Sequence, residues 1–230
     1  ARQRNAISAD ESQKKMNVVK NMVHIWIGHK QPPLEWMNTW RDKHPDWSYR
    51  ILDEEEYRDT EWVLQKQMDA YYNVGLYAGV ADMIRYETLL SEGGFLPPAD
   101  SVCLHPIDEL LTEPSHFCYT VYENEELRGN YMSPFQAANP GNTLIQRVVE
   151  TIYEYDPVEM SKIGPYKMTG NRFLNLFVKG QNYEKLGLKV WPSHYLIPQH
   201  FKSDKRYDGP DTVYAEQMWG STKGLYKETA

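Results

Sequence analysis

The stretch from Ala78 to Leu111, AGVADMIRYETLLSEGGFLPPADSVCLHPIDELL, constrains the chain most. It opens with helical spacing: Val80 and Ile84 are apolar, as are Met83, Leu89 and Leu90 half a turn round. Asp82 and Arg85 stand three apart, so on a helix they emerge as neighbours on one face. The Gly93-Gly94 pair stops that helix, because glycine takes the left-handed geometry a C-terminal cap needs. Beyond it come Phe95-Leu96, two prolines, a lone Asp100 and the β-prone run Ser101-Val102-Cys103-Leu104. A helix carrying an acid and a base, a tight turn and an aspartate between short strands suit a cradle for a charged small molecule. The bland alternatives are an ordinary helix pair for Asp82–Arg85 and an ordinary turn residue for Asp100.

The same residues carry a resemblance. The segment is similar to sugar-nucleotide glycosyltransferases with a "DxD" signature, especially glycosyltransferase family 32 and the related bacterial toxin and capsule enzymes. Their pattern runs roughly S-D-x-x-R-x-x-x-L-x-x-x-G-G-x-Y-x-D-x-D. Ala81-Asp82, Arg85, Leu89, Gly93-Gly94 and Asp100 match it, while Leu96 stands for the usual tyrosine and Pro98 for the first aspartate.

The resemblance extends from about Val23 to Ser221. The first strand expected, Asn21–Gly28 (NMVHIWIG), is similar to the family's I-H-x-x-W-I-G, which implies that Trp26 stacks on the nucleobase. As a plain reading, Trp26 is a core tryptophan. Phe135, Ala138, Pro140 and Gly141 fit an N-x-F-x-x-A-x-P-G-H-like run, and Gly164, Pro165 and Thr169 fit a G-P-x-x-x-T run. The closing Tyr214–Ser221 segment resembles Y-A-x-H-H-x-x-x-S-W, with Gln217 and Met218 where histidines are usual.

Other elements follow from pattern. Leu34–His44 has the spacing of an amphipathic helix, and Trp47–Leu52 reads as a second strand, giving β–α–β order. The acidic run from Asp53 to Glu56 is a solvated helix start, not a metal site. Phe117–Tyr122 is a further strand, Thr143–Tyr155 an amphipathic helix, and Leu188–Pro198 a strand region broken by Pro192. Thr169 is placed to N-cap a helix running through Phe173, Leu174, Phe177 and Val178.

Bulk properties narrow the function. A chain of 230 residues suits one large domain, or a core domain with an inserted subdomain, able to bury roughly 70% of its unfolded surface. Its 25 Lys plus Arg against 32 Asp plus Glu, net charge −7, argue against a general nucleic-acid binder, which needs a basic footprint. Cys103 and Cys118 have neither metal spacing nor a disulfide framework and read as two buried reduced thiols, which suits a cytoplasmic protein. The sequence has no run of about 18 apolar residues, although an upstream membrane anchor stays open. None of the common phosphate-loop, nucleophile-elbow or zinc-protease motifs is present. Residues 1–20 read as a polar lead-in and 21–230 as a single domain.

The resemblance implies an α/β domain of the GT-A type, a Rossmann-like, mainly parallel sheet with flanking helices and the site at its carboxyl edge. The strand ending at Gly28 is expected centrally in the sheet, close to Asp100. The activity implied is transfer of a hexose from a UDP- or GDP-sugar to a glycan or other hydroxyl acceptor, with retention of anomeric configuration. Asp82, Arg85 and Asp100 are implied as the catalytic residues. Trp26, Ile27, Gly28, Gly94, Ala99, Gln217, Ser221 and Lys223 join them in donor binding. A Mn²⁺ or Mg²⁺ ion is implied at Asp100, held weakly because Pro98 supplies no carboxylate and such ions want several hard oxygen ligands. Two alternatives remain: a catalytically degenerate domain of the same fold that binds nucleotide sugar or glycan, and another nucleotide-binding enzyme sharing the sheet.

Overall fold

The computed structural model describes residues 15–228. In chain order the elements are β1 (Asn21–Ile25), α1 (Leu34–Lys43), β2 (Ser48–Leu52), α2 (Glu54–Asp59), α3 (Gln65–Tyr72) and α4 (Tyr77–Ser91). Next come β3 (Gly94–Phe95), β4 (Ser101–Cys103), β5 (Cys118–Val121), α5 (Glu125–Arg128), β6 (Ala137–Ala138) and α6 (Thr143–Tyr153). The last are α7 (Pro157–Ser161), α8 (Pro165–Met168), α9 (Asn171–Phe177), α10 (Tyr183–Leu186), β7 (Leu188–Trp191) and β8 (Ala215–Gln217).

Six strands form one sheet in the order β2-β1-β3-β6-β5-β7. The pairings β1–β2, β1–β3 and β5–β7 are parallel, while β6 runs antiparallel to both neighbours. A separate two-stranded ribbon pairs β4 with β8, Ser101 opposite Gln217. The sheet is mostly parallel, as expected. However, β1 lies second from the β2 edge rather than at the centre, because β3, β6, β5 and β7 all add on its other side.

Alternation along β1 divides the molecule into two cores. Val23 and Ile25 pack beneath the sheet with Val80, Met83 and Ile84 of α4 and Val148, Val149 and Ile152 of α6. Met22 points to the opposite face, into a core with Trp40, Phe95, Tyr119 and Trp191. This is the period-2 pattern of a strand covered on both faces.

Local chemistry sets the element ends. Asp53 caps α2 by accepting from the backbone N–H groups of Glu55 and Glu56 at 3.1 Å, as the acidic run suggested. Asn142 caps α6 in the same way and donates its amide to the His116 carbonyl. Thr169 does not cap α9; Gly170 holds that position, and the Thr169 hydroxyl turns instead to Asp82. Both cysteines are free and buried. Of the expected lead-in, residues 1–14 lie outside the described residues. Within it, the Asn17 backbone N–H donates to the Leu111 carbonyl and Val18 is buried.

Candidate active site

A cavity of about 290 Å³ opens where β3 and β5 end. Its position follows from the sheet: parallel strands leave a crevice at their carboxyl ends that the connecting loops wall in. Asp82 and Arg85 reach it from α4, Pro98 from the loop after β3, Glu123 from just beyond β5 and Gln217 from β8.

The α4 pair does not form a simple helix ion pair. Arg85 sends its guanidinium to the Leu96 carbonyl, with a longer contact of 3.5 Å to the Phe135 carbonyl. It thereby pins the end of β3 to the segment before β6. Asp82 accepts the Thr169 hydroxyl at 2.8 Å. Thr169 is itself fixed, since its carbonyl accepts from the buried Tyr86 hydroxyl. The run Gly164-Pro165…Thr169 therefore acts as the wall that orients Asp82. Burial pushes the Asp82 carboxyl up to about 7, against the Thr169 hydrogen bond and the Arg85 charge, which favour the ionised form.

The Asp100 carboxylate is already engaged by protein donors. The residue sits in the turn closed by the Ser101 N–H donating to the Pro98 carbonyl at 3.3 Å. One carboxylate oxygen accepts the Gln217 amide at 2.6 Å, the other the Gly220 backbone N–H at 3.0 Å. The Tyr226 hydroxyl adds a further hydrogen bond, and burial raises the Asp100 pKa above its ordinary value. Its partners are thus amide and hydroxyl donors of the closing segment. Among the described residues no three His, Cys, Asp or Glu side chains converge as a ligand set. The side chains present do not fit a metal centre on their own.

The end of β1 meets the same closing segment. Trp26 donates its indole N–H to the Lys30 carbonyl at 2.7 Å, and Tyr226 stands edge-on to its ring at 4.9 Å. Tyr226 therefore joins Trp26 to Asp100, which puts both on one side of the molecule. Ile27 packs against the core beneath the sheet, and the Gly28 N–H donates to Glu54 at 2.9 Å. Gly94 is buried against Asn21, Ala99 is half-buried in the Asp100 turn, and Ser221 and Lys223 are exposed on the tail. Asp82, Arg85 and Gln217 line the cavity directly. Trp26, Asp100 and the tail form a neighbouring group joined to it through Gln217.

Sequence reasoning missed other parts of the cavity lining. Glu123, Gln136, Asn171 and Trp219 line the cavity, and His200 stands behind Glu123. Only one signal pointed there: a glutamate just past a buried strand, at the sheet's carboxyl edge. Trp219 carries a left-handed backbone, φ 59°, which a bulky residue adopts only where its surroundings impose it.

Residues 34–117 match the family model described as a glycosyltransferase sugar-binding region containing a DXD motif. Among solved structures, the PaToxG glycosyltransferase is similar with a TM-score of 0.57 at 16% identity, covering 73% of this chain and 70% of that one. The UDP-bound glycosyltransferase domain from the YGT toxin gives a TM-score of 0.54 at 10% identity over 94% of this chain and 84% of its own. The fold is that of a glycosyltransferase domain. The ligand-free form of the YGT domain also matches, with a TM-score of 0.51 at 8% identity over 76% of this chain and 80% of that one. A search of curated protein sequences finds no match. The sheet with its flanking helices is GT-A-like, and residues 34–117 are similar to the glycosyltransferase sugar-binding region of that family model. None of the helices among the described residues is long and apolar enough to cross a membrane.

Proposed function

We propose that residues 21–230 form one catalytic domain that moves a hexose from a nucleotide diphosphate sugar to a hydroxyl acceptor, with retention of configuration. The observation that carries this reading is the convergence of Asp82 and Arg85 on a cavity at the sheet's carboxyl edge, beside Asp100. Cleaving the bond to the anomeric carbon leaves negative charge on the diphosphate, so a positive group fixed beforehand lowers the barrier. Arg85 is such a group: two carbonyls hold its guanidinium in place before any ligand arrives. Asp82, once ionised, accepts hydrogen bonds from hydroxyls of the ribose or the sugar. The tail lysine Lys223 is an additional cation for the diphosphate.

A UDP-bound neighbour of the same fold makes UDP the first nucleotide to test. A thermal-shift panel of UDP-glucose, UDP-N-acetylglucosamine and GDP-mannose, each with and without Mn²⁺, tests the reading. A ligand at 100 times its Kd should stabilise by about 2.7 kcal/mol. Mn²⁺ alone should shift the midpoint little, and more in the presence of nucleotide. No shift with any member of the panel would defeat the reading.

One observation favours a second reading, a domain that binds nucleotide sugar without turnover. Pro98 contributes no carboxylate, and Asp100 is already engaged by Gln217, Gly220 and Tyr226. Release of UDP from donor, measured with and without an acceptor, separates the two.

A further inference from the structure

Glu123 and Gln136 line the same cavity as Asp82 and Arg85. Glu123 is buried, and its Oε2 accepts the Asn171 amide at 2.9 Å. Its Oε1 lies 3.0 Å from His200 Nε2 and 3.5 Å from the Arg128 guanidinium. The histidine's tautomer follows from its other nitrogen. Nδ1 accepts the Lys202 backbone N–H at 3.2 Å, so the ring hydrogen is on Nε2 and is donated to Glu123. His200 is buried between Phe201 and Trp219, which leaves the ring little freedom to turn. A carboxylate offers about four lone-pair sites, so Glu123 keeps acceptor capacity toward the cavity it lines.

Gln136, which also lines the cavity, is 2% exposed. Its amide nitrogen donates to the Pro134 carbonyl at 3.1 Å, which fixes which end of the amide is nitrogen. Its Oε1 is buried and has no hydrogen-bond partner. A buried carbonyl oxygen without a donor is costly and uncommon. A carboxylate and an orphan carbonyl that line one cavity offer acceptors, which phosphate oxygens, being acceptors themselves, cannot use. The pair suits a ligand face that only needs to donate, such as the hydroxyls of a sugar. At about 290 Å³ the cavity is at the small end of ligand pockets and takes one ring, not a chain of them.

We propose that Glu123 and Gln136 are specificity-determining residues that read the hydroxyls of the donor's sugar ring, and that His200 is the positioning residue that aims Glu123. The assignment rests on the glycosyltransferase reading. It assigns the diphosphate to Arg85 and the sugar hydroxyls to Glu123 and Gln136 within one cavity.

Calorimetry with UDP and UDP-glucose, and in parallel with GDP and GDP-mannose, tests it on the whole chain. Glu123→Gln should lower the ratio of sugar-nucleotide to bare-nucleotide affinity about tenfold relative to wild type, since it replaces a charged acceptor, and leave the bare nucleotide's affinity within about twofold. His200→Ala should lower the same ratio less, and His200→Gln, which keeps an N–H donor, should restore part of it. Gln136→Met removes the orphan oxygen at similar volume. It should fold at least as stably as wild type while lowering the ratio, and so provides the readout even where a Glu123 variant does not fold. An unchanged ratio in Gln136→Met or in folded Glu123→Gln overturns the assignment, as does an equal loss of nucleotide and nucleotide sugar. Wild-type protein that binds none of the four probes overturns the glycosyltransferase reading along with it, whereas wild-type binding with insensitive variants overturns the subsite alone.

Discussion

At the scale of single residues, Asp82 ties stability and function together. The folded protein holds its proton more tightly than the unfolded chain, with the carboxyl raised from 3.8 to about 7 mainly by burial. Asp82 therefore favours the folded state most when protonated. Its contribution is lost as pH rises through the window from about 4 to about 7 and is flat above it. Urea unfolding of wild type and Asp82→Asn across that window should show the wild type losing stability relative to the variant, then running parallel. Donor affinity should move the other way, rising as the carboxylate forms, and this rise should vanish in Asp82→Asn. Thr169→Val removes the hydroxyl that favours the ionised form. It should cost about 1–3 kcal/mol near neutral pH, less in acid, and move the affinity curve to higher pH. Identical pH profiles for wild type and Asp82→Asn would show that Asp82 does not titrate in this range.

At the scale of elements, the glycine pair shows how a motif can be right in place and different in cause. The sequence suggested a helix cap at Gly93-Gly94, and α4 does end there. Gly94 is more than a cap: at φ 114°, a Cβ would lie 2.0 Å from the Asn21 carbonyl oxygen, because β3 is pressed against β1. Gly94→Ala should therefore cost about 3 kcal/mol or more by combining backbone strain with a backbone clash, a loss readable as a lower urea midpoint. Helices and strands with a strong apolar period were legible within a few residues: β1, α1, β2, α4, β5 and α6 all lie where the pattern placed them. Short helices such as α5, α7, α8 and α10 were not, because four or five residues hold too little periodicity and their ends are set by contacts far along the chain. The same limit hid half of the site. Asp82 and Arg85 were visible because helical spacing brings them together. Glu123, Gln136, Asn171 and His200 meet only after β5, β6 and α9 have found their places, across as many as 77 residues in the Glu123–His200 contact.

At the scale of the whole molecule, the C-terminal end of the described chain closes over Asp100 and onto the loop after β1. The β4–β8 ribbon brings the closing segment back, and Gln217 and Gly220 take the Asp100 carboxylate. Backbone bonding between Gln31 and Lys227 then fastens the tail to the loop after β1. Tyr226 fills the space between, edge-on to Trp26 and hydrogen-bonded to Asp100. The aromatic surface a nucleobase would stack on is thus already met by a ring of the protein itself. A base that uses Trp26 has to displace a contact of about 0.5–1.5 kcal/mol. Tyr226→Ala removes that competitor, and since Tyr226 belongs to neither core cluster, the variant should still fold, with a lower melting temperature. Trp26 should become more accessible to acrylamide quenching, and UDP should quench tryptophan fluorescence more strongly, with a Kd lowered about two- to tenfold. Weaker UDP binding in this variant would mean the reverse arrangement, in which Tyr226 is a wall of the base's seat and the tail must stay closed for the nucleotide to be held.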